Sequence, residues 1–148
     1  MISFDTNLLV YAADQNAGSR HLKAAELIER AVRSGYCIQT LQSLAEFYSV
    51  VTRKIGIAPE PAAAFIAGWR AVIPVEAACI ADLEQAMRAV GEHGLAFWDA
   101  LLWATVRRLG VRVLVSEDFQ DGRTIEGVRI ANPFAAGNAA VIEAALLP

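Results

Sequence analysis

Val111-Arg112-Val113-Leu114-Val115 is a β-branched, largely apolar run that gives way at once to Ser116-Glu117-Asp118-Phe119-Gln120-Asp121-Gly122. Apolar residues at consecutive rather than alternate positions suit a strand covered on both faces, which is the situation of a central strand in a parallel sheet. The loop that follows is dense in hydroxyl and carboxylate groups. It reads either as an Asx-type turn closed by Gly122 or as the rim of a polar site. Met1-Ile2-Ser3-Phe4-Asp5 repeats the pattern at the start of the chain: a short strand ends on an acid, then Thr6-Asn7 leads into the apolar Leu8-Leu9-Val10-Tyr11. Strand ends of open α/β sheets gather ligands, because the sheet holds the backbone while the next loop exposes the side chain. An Asp ahead of an apolar run also serves as a helix N-cap. Asp5 admits both readings.

Between these two strands the periodicity predicts helices over 6–13, 20–33, 41–54, 61–70, 76–92 and 96–109. Ser19 is the expected cap of the second, with Leu22, Ala25, Ile28 and Val32 facing the core and Gly35 as the stop. Leu44, Phe47, Tyr48 and Val51 form the core stripe of the third. Short extended segments are expected at 36–40, 72–75 and 128–130, and the tail from Ala135 to Leu147 is helix-prone. Strands alternating with helices argue for an α/β fold with a mainly parallel central sheet flanked by helices.

A chain of 148 residues fits one domain, since domains hold roughly 100 to 200 residues, and residues 1–148 are read as a single unit. Hydrophobic residues make up 55% and charged ones 20%, which leaves apolar surface for another chain to cover and suggests an oligomer. A net charge of −3 excludes a generally basic footprint, so nucleic acid would have to meet a local patch; eleven of the thirteen basic residues are Arg, suited to phosphate. Cys37 and Cys79 have apolar neighbours and no CxxC spacing, as expected of inert core thiols in a reducing cytosol. With no leader-like start and no run of about 18 apolar residues, a soluble cytoplasmic protein without membrane contact is expected.

On the wheel of residues 96–109, Asp99 shares its line with Leu102, Trp103 and Val106, which puts a carboxylate on a core-facing stripe. Burying an ionised carboxylate costs several kcal/mol unless it is paired, hydrogen-bonded or metal-bound. A buried Arg, a backbone cap or a metal would each answer that cost. Glu46 lies opposite the Leu44 stripe, in line with Gln42, Ser49 and Arg53, and by itself reads as solvated. If Asp5, Asp99 and Asp118 converge at the carboxyl edge of one sheet, their mutual repulsion raises their pKa values and invites a hard divalent cation. An oxygen-only set suits Mg²⁺, with Mn²⁺ as substitute. Zinc would recruit His or Cys, and neither His21 nor His93 has an evident partner in the sequence.

These pieces together resemble the PIN-domain ribonucleases, and specifically the VapC-type toxins of bacterial toxin–antitoxin pairs. The resemblance rests on Phe4-Asp5-Thr6-Asn7-Leu8-Leu9-Val10-Tyr11, Leu44-Ala45-Glu46-Phe47-Tyr48, Trp98-Asp99-Ala100-Leu101-Leu102-Trp103-Ala104, Val113 to Phe119 and Asn132-Pro133-Phe134, in that order. It covers residues 1–134 and leaves 135–148 as a C-terminal extension. It implies a three-layer α/β/α PIN-like fold and Mg²⁺-dependent hydrolysis of RNA phosphodiester bonds. The implied acidic set is Asp5, Glu46, Asp99 and Asp118, with Asp121 as an alternative or assistant to Asp118. Asp5, Asp99 and Asp118 would be the metal ligands, Asn7 and Ser116 polar supports, and Glu46 the residue that orients or deprotonates the nucleophile. A cognate antitoxin and a homodimer are the implied protein partners.

An acidic site repels RNA, so cations at its rim must guide the strand; Arg53, Lys54, Arg107, Arg108, Arg112 and Arg123 are candidates. A receiver- or phosphatase-like domain also uses strand-end aspartates and Mg²⁺. A phosphatase of the Asp-x-Asp kind wants an acid where Asn7 stands, and a receiver wants a second acid beside Asp5 and a late Lys, whereas no Lys follows Lys54. A non-catalytic module with the same fold is the other rival, and the full acidic set speaks against it.

Overall fold

The computed structural model describes residues 1–147. In chain order the elements are β1 (Ile2–Phe4), α1 (Thr6–Ala13), α2 (Ser19–Ser34), β2 (Gln39–Thr40), α3 (Leu41–Val50), α4 (Pro59–Val72), β3 (Val75–Glu76), α5 (Ile80–His93), α6 (Phe97–Arg108), β4 (Val113–Val115), β5 (Thr124–Ile125), β6 (Val128–Ala131) and α7 (Ala139–Ala145). The strand order is β1-β4-β6-β5. β4 lies parallel to β1 on one side and to β6 on the other, so the run Val113-Leu114-Val115 is a buried central strand.

Alternation along β4 separates two cores. Val113 and Val115 face α1, α2, α3 and α7 together with Ile2 and Phe4, whereas Leu114 faces α5 and α6 together with Ile130. The result is three layers, helices on both faces of a mostly parallel sheet, as such a sheet requires. β2 pairs with β3 apart from the main sheet, and a single bridge from Cys37 to Ile2 ties this pair to the outer edge of β1.

Several local expectations need correction. α2 buries Ala24, Leu27, Ile28 and Ala31, and leaves Leu22 70% exposed. The buried set runs i, i+3, i+4, i+7 from Ala24 and shares only Ile28 with the expected one, and its small alanines allow close helix packing. α3 stops at Val50 and runs into a π-helical turn, Val51–Ile55, closed by Gly56 at φ 83°; within the expected stripe, Tyr48 is exposed while Leu44, Phe47 and Val51 are buried. The segment 36–40 is a strand only at Gln39–Thr40. Glu76 belongs to β3, and α5 begins at Ile80 behind a cap in which Cys79 and Asp82 bond reciprocally. Cys79 is therefore exposed and not a core thiol, whereas Cys37 is buried as expected. The antiparallel β5 was not foreseen. Its two-residue turn, Glu126-Gly127, has both residues at positive φ, the geometry that matches hairpin twist but that Asn-Gly or Asp-Gly usually signals.

Candidate active site

β1 and β4 run parallel and end together, so Asp5 and Ser116, the residues just past them, stand side by side at the carboxyl edge of the sheet. Asp5 N–H extends the ladder by one bond to the Val115 carbonyl, 2.9 Å, and Ser116 N–H does the same to Ala131, 3.2 Å. Asp5 is 7% exposed. Its Oδ1 accepts the Thr6 N–H at 2.7 Å and so caps α1, while its Oδ2 accepts the Ser116 hydroxyl at 2.6 Å and the Asn7 amide at 3.4 Å. The cap and the site are thus two oxygens of one carboxylate.

Gln39 holds the other side of β1. Its fully buried amide donates to the Phe4 carbonyl, 2.7 Å, and accepts from Phe4 N–H, 3.3 Å, supplying by side chain the partner that a neighbouring strand would provide one residue before Asp5. Nothing in the sequence marks Gln39 beyond its place in a short strand.

Asn7 bridges the two strand ends, donating to Asp118 Oδ2 at 3.0 Å as well as to Asp5, and Asp118 N–H is held by Ser116 Oγ at 3.1 Å. Glu46 reaches the same space from α3: Oε2 accepts the Thr6 hydroxyl at 2.9 Å and Oε1 the Gln42 amide at 2.9 Å. The α3 face that reads as solvated is a wall of the cleft. Asp99 enters from the first turn of α6, at the end of the stripe whose Leu102, Trp103 and Val106 are buried. No Arg or cap bonds it among the described residues. Asp5, Glu46, Asp99 and Asp118, with Thr6, Asn7, Val10, Tyr11 and Val50, line one cleft of about 320 Å³.

The electrostatics follow from that crowding. Burial, with Asp118 and Asp99 adding to it, pushes the Asp5 carboxyl up to about 6 against the opposing bonds from Ser116 and Thr6. Asp99 is also raised, by burial first and then by Asp118 and Glu46. No cation lines the cleft among the described residues. An oxygen-only donor set, two carboxyls raised by burial and their acidic neighbours, and the buried Asn7 Oδ1 without a partner fit a hard divalent cation.

Asp121 stands apart from this group. Its Oδ1 accepts from Asn132 N–H, 2.9 Å, and from the Asn138 amide, 2.6 Å, and these bonds, led by the one from Asn132, hold its carboxyl below the ordinary range. Glu92, His93 and Glu126 form a second group close enough to share a metal. Arg88 and Arg107 already occupy Glu126, each at 2.9 Å, and Arg88 also binds Glu92, so this group is a saturated ion network; His93 finds a partner in Glu126 that the sequence did not reveal. Of the expected rim cations, Arg107 is engaged there, Arg108 is bound to Asp82 at 2.9 Å, and Arg112 lies at the opposite edge, where its N–H meets the Met1 carbonyl. Arg53 and Lys54 are exposed just beyond Val50, and Arg123 lines a small pocket that Asp99 and Asp118 also line. On the far rim the Tyr11 hydroxyl bonds Glu117, which also pairs with Arg20 at 3.1 Å, and the Arg20 guanidinium lies over Tyr11 and Phe134. The bond from Tyr11 to Glu117 joins residues 106 positions apart, which no local pattern in the sequence marks.

A family model described as PIN domain matches residues 2–120. No curated protein matches the chain by sequence. Among solved structures the chain is similar to Mycobacterium tuberculosis VapC20, described as a sarcin-ricin loop cleaving toxin, with 25% identity, TM-score 0.65, and 80% of this chain and 90% of that one covered. It is also similar in fold to a toxin–antitoxin complex from Klebsiella pneumoniae, at 17% identity, TM-score 0.64 and coverage of 90% and 98%. VapBC2 from Rickettsia felis, bound to a promoter DNA fragment, gives 15%, 0.62, and 89% and 98%.

Proposed function

Because the chain belongs to the PIN-domain family, we propose that it is a Mg²⁺-dependent endoribonuclease, with Mn²⁺ as substitute, and the toxin of a toxin–antitoxin pair. The observation that carries this reading is the convergence of Asp5, Glu46, Asp99 and Asp118 on one cleft with no cation of the chain's own among the described lining residues. Asp5, Asp99 and Asp118 hold the cation. When bound, it supplies Lewis acidity toward the phosphate oxygens and relieves the repulsion among the carboxylates. Ser116 and Asn7 fix the Asp5 and Asp118 oxygens. Glu46, oriented by Thr6 and Gln42, accepts the proton of the attacking water.

The antitoxin partner is supported by the complexes that share this fold. An apolar depression between α1, α2 and α4, with Ala12, Ile28, Phe65 and Trp69, gives such a partner a surface. A homodimer accounts for further exposed apolar side chains, among them Ile80 and Met87 of α5. No helix among the described residues is long and apolar enough to cross a membrane, and a cytoplasmic location agrees with an RNA substrate. Residues 1–134 form the nuclease unit, and 135–148 are its extension.

The test is incubation of the purified protein with bacterial tRNA and rRNA, in Mg²⁺ or EDTA, beside Asp5→Asn and Asp99→Asn variants whose folding is verified. Cleavage is expected with Mg²⁺ alone and is expected to fall at least a hundredfold in both variants. Undiminished cleavage by Asp99→Asn would remove the assigned site.

A further inference from the structure

Asp99 and Asp118 are walls of two depressions. On one side is the acidic cleft; on the other a smaller pocket of about 150 Å³ is lined by Leu95, Phe119, Gln120 and Arg123 beside the same two carboxylates. Arg123 is the one cation on either lining among the described residues. It is half-buried, and Nη2 donates to the His93 carbonyl at 2.6 Å, a bond that aims the side chain but leaves its charge unmatched. Arg20, Arg30, Arg88, Arg107 and Arg108 each meet a carboxylate. Arg123 meets none within 4.0 Å among the described residues, and a guanidinium with five donors keeps most of them free after one bond to a carbonyl.

We propose that Arg123 binds the phosphate next to the scissile one, so that the RNA strand crosses the Asp99–Asp118 wall from the acidic cleft into this second pocket. The inference rests on the nuclease reading and adds the direction of the strand. A phosphate held over these carboxylates is flanked by another on each side. The one entering the smaller pocket meets a half-buried guanidinium already aimed by His93, whereas the acidic cleft offers it only repulsion. A charge-assisted bond of this kind to a single phosphate also makes binding salt-dependent.

The experiment maps a cleavage site in bacterial RNA and synthesises the surrounding oligonucleotide with one neutral methylphosphonate, beside a 2′-deoxy nucleotide, on either flank of the cut. Arg123→Gln, which removes the charge and keeps a polar side chain, is compared with wild type and with Arg123→Lys, and thermal melting checks that each is folded. About a tenfold rise in KM with kcat nearly unchanged is expected for Arg123→Gln, with partial recovery in Arg123→Lys. The neutral linkage on one flank should impose the same loss on wild type and little further loss on Arg123→Gln. Binding of a mixed-sequence single-stranded RNA in EDTA should lose about 0.7 from its log–log salt slope in the variant. Cleavage by wild type with an unchanged KM in Arg123→Gln, or losses that multiply for both neutral linkages, overturns this inference and leaves the nuclease reading intact. Failure of wild type to cleave or bind any of these RNAs overturns both.

Discussion

Asp5 carries an ionisation cost that should be visible without any substrate. Its carboxyl is raised from an ordinary 3.8 to about 6, chiefly by burial. A carboxyl whose folded value exceeds its unfolded one favours folding when protonated, so that contribution is complete below the unfolded value and is lost as pH rises through about 6. At 1.36 kcal/mol per unit, the ionised form weakens the metal-free protein by about 3 kcal/mol at neutral pH. In EDTA, the unfolding midpoint should therefore rise as pH falls from 7.5 toward 5, and Asp5→Asn should flatten most of that slope, leaving the smaller part due to Asp99. A level wild-type profile over this window would contradict the burial account. Asp5 was legible in the sequence because a strand end and a helix start coincide there, and its two oxygens serve both. Thr6 and Gln39 were not, since ordinary polar residues acquire meaning only from partners 35 to 40 positions away.

At the scale of elements, α6 joins the site to the hairpin. Asp99 lies in its first turn, and one turn later Trp103, fully buried, donates its indole N–H to the Ile125 carbonyl of β5 at 3.1 Å. Trp103→Ala should cost about 3 to 5 kcal/mol of stability, measured by urea unfolding, because it removes a large core side chain and its bond to that carbonyl. A loss below 1 kcal/mol would mean that α6 packs independently of the hairpin. The 3.6-residue pattern revealed α6 and its buried stripe, and the β-branched run revealed β4. β5 escaped because it is two residues long and its Glu126-Gly127 turn lacks the usual Asn or Asp, and the end of α3 escaped because the π-helical turn keeps helical composition while changing the hydrogen-bond spacing.

Over the whole molecule, the tail after Phe134 is built in rather than appended. Ile142, Ala145 and Leu146 are buried in the core beneath β1 and β4, and Asn138 clasps Asp121 and the Asn132 carbonyl. Ending the chain after Phe134 should lower stability by about 2 to 5 kcal/mol through lost core burial, read as a reduced denaturation midpoint. An unchanged midpoint would show that α7 contributes no core. The layered architecture was readable from alternating strands and helices; the docking of the tail was not, because its short helix has no strong cap or stripe. The order of the strands has a further consequence for the chain while it is being made. β1 emerges first, but the neighbour that completes its inner edge begins at Val113, and Asp118 follows later still. A nascent chain interrupted anywhere before β4 has no cleft and no complete acidic set. On the proposed nuclease reading, competence requires the chain as far as Asp118, and products interrupted before it are expected to leave RNA intact.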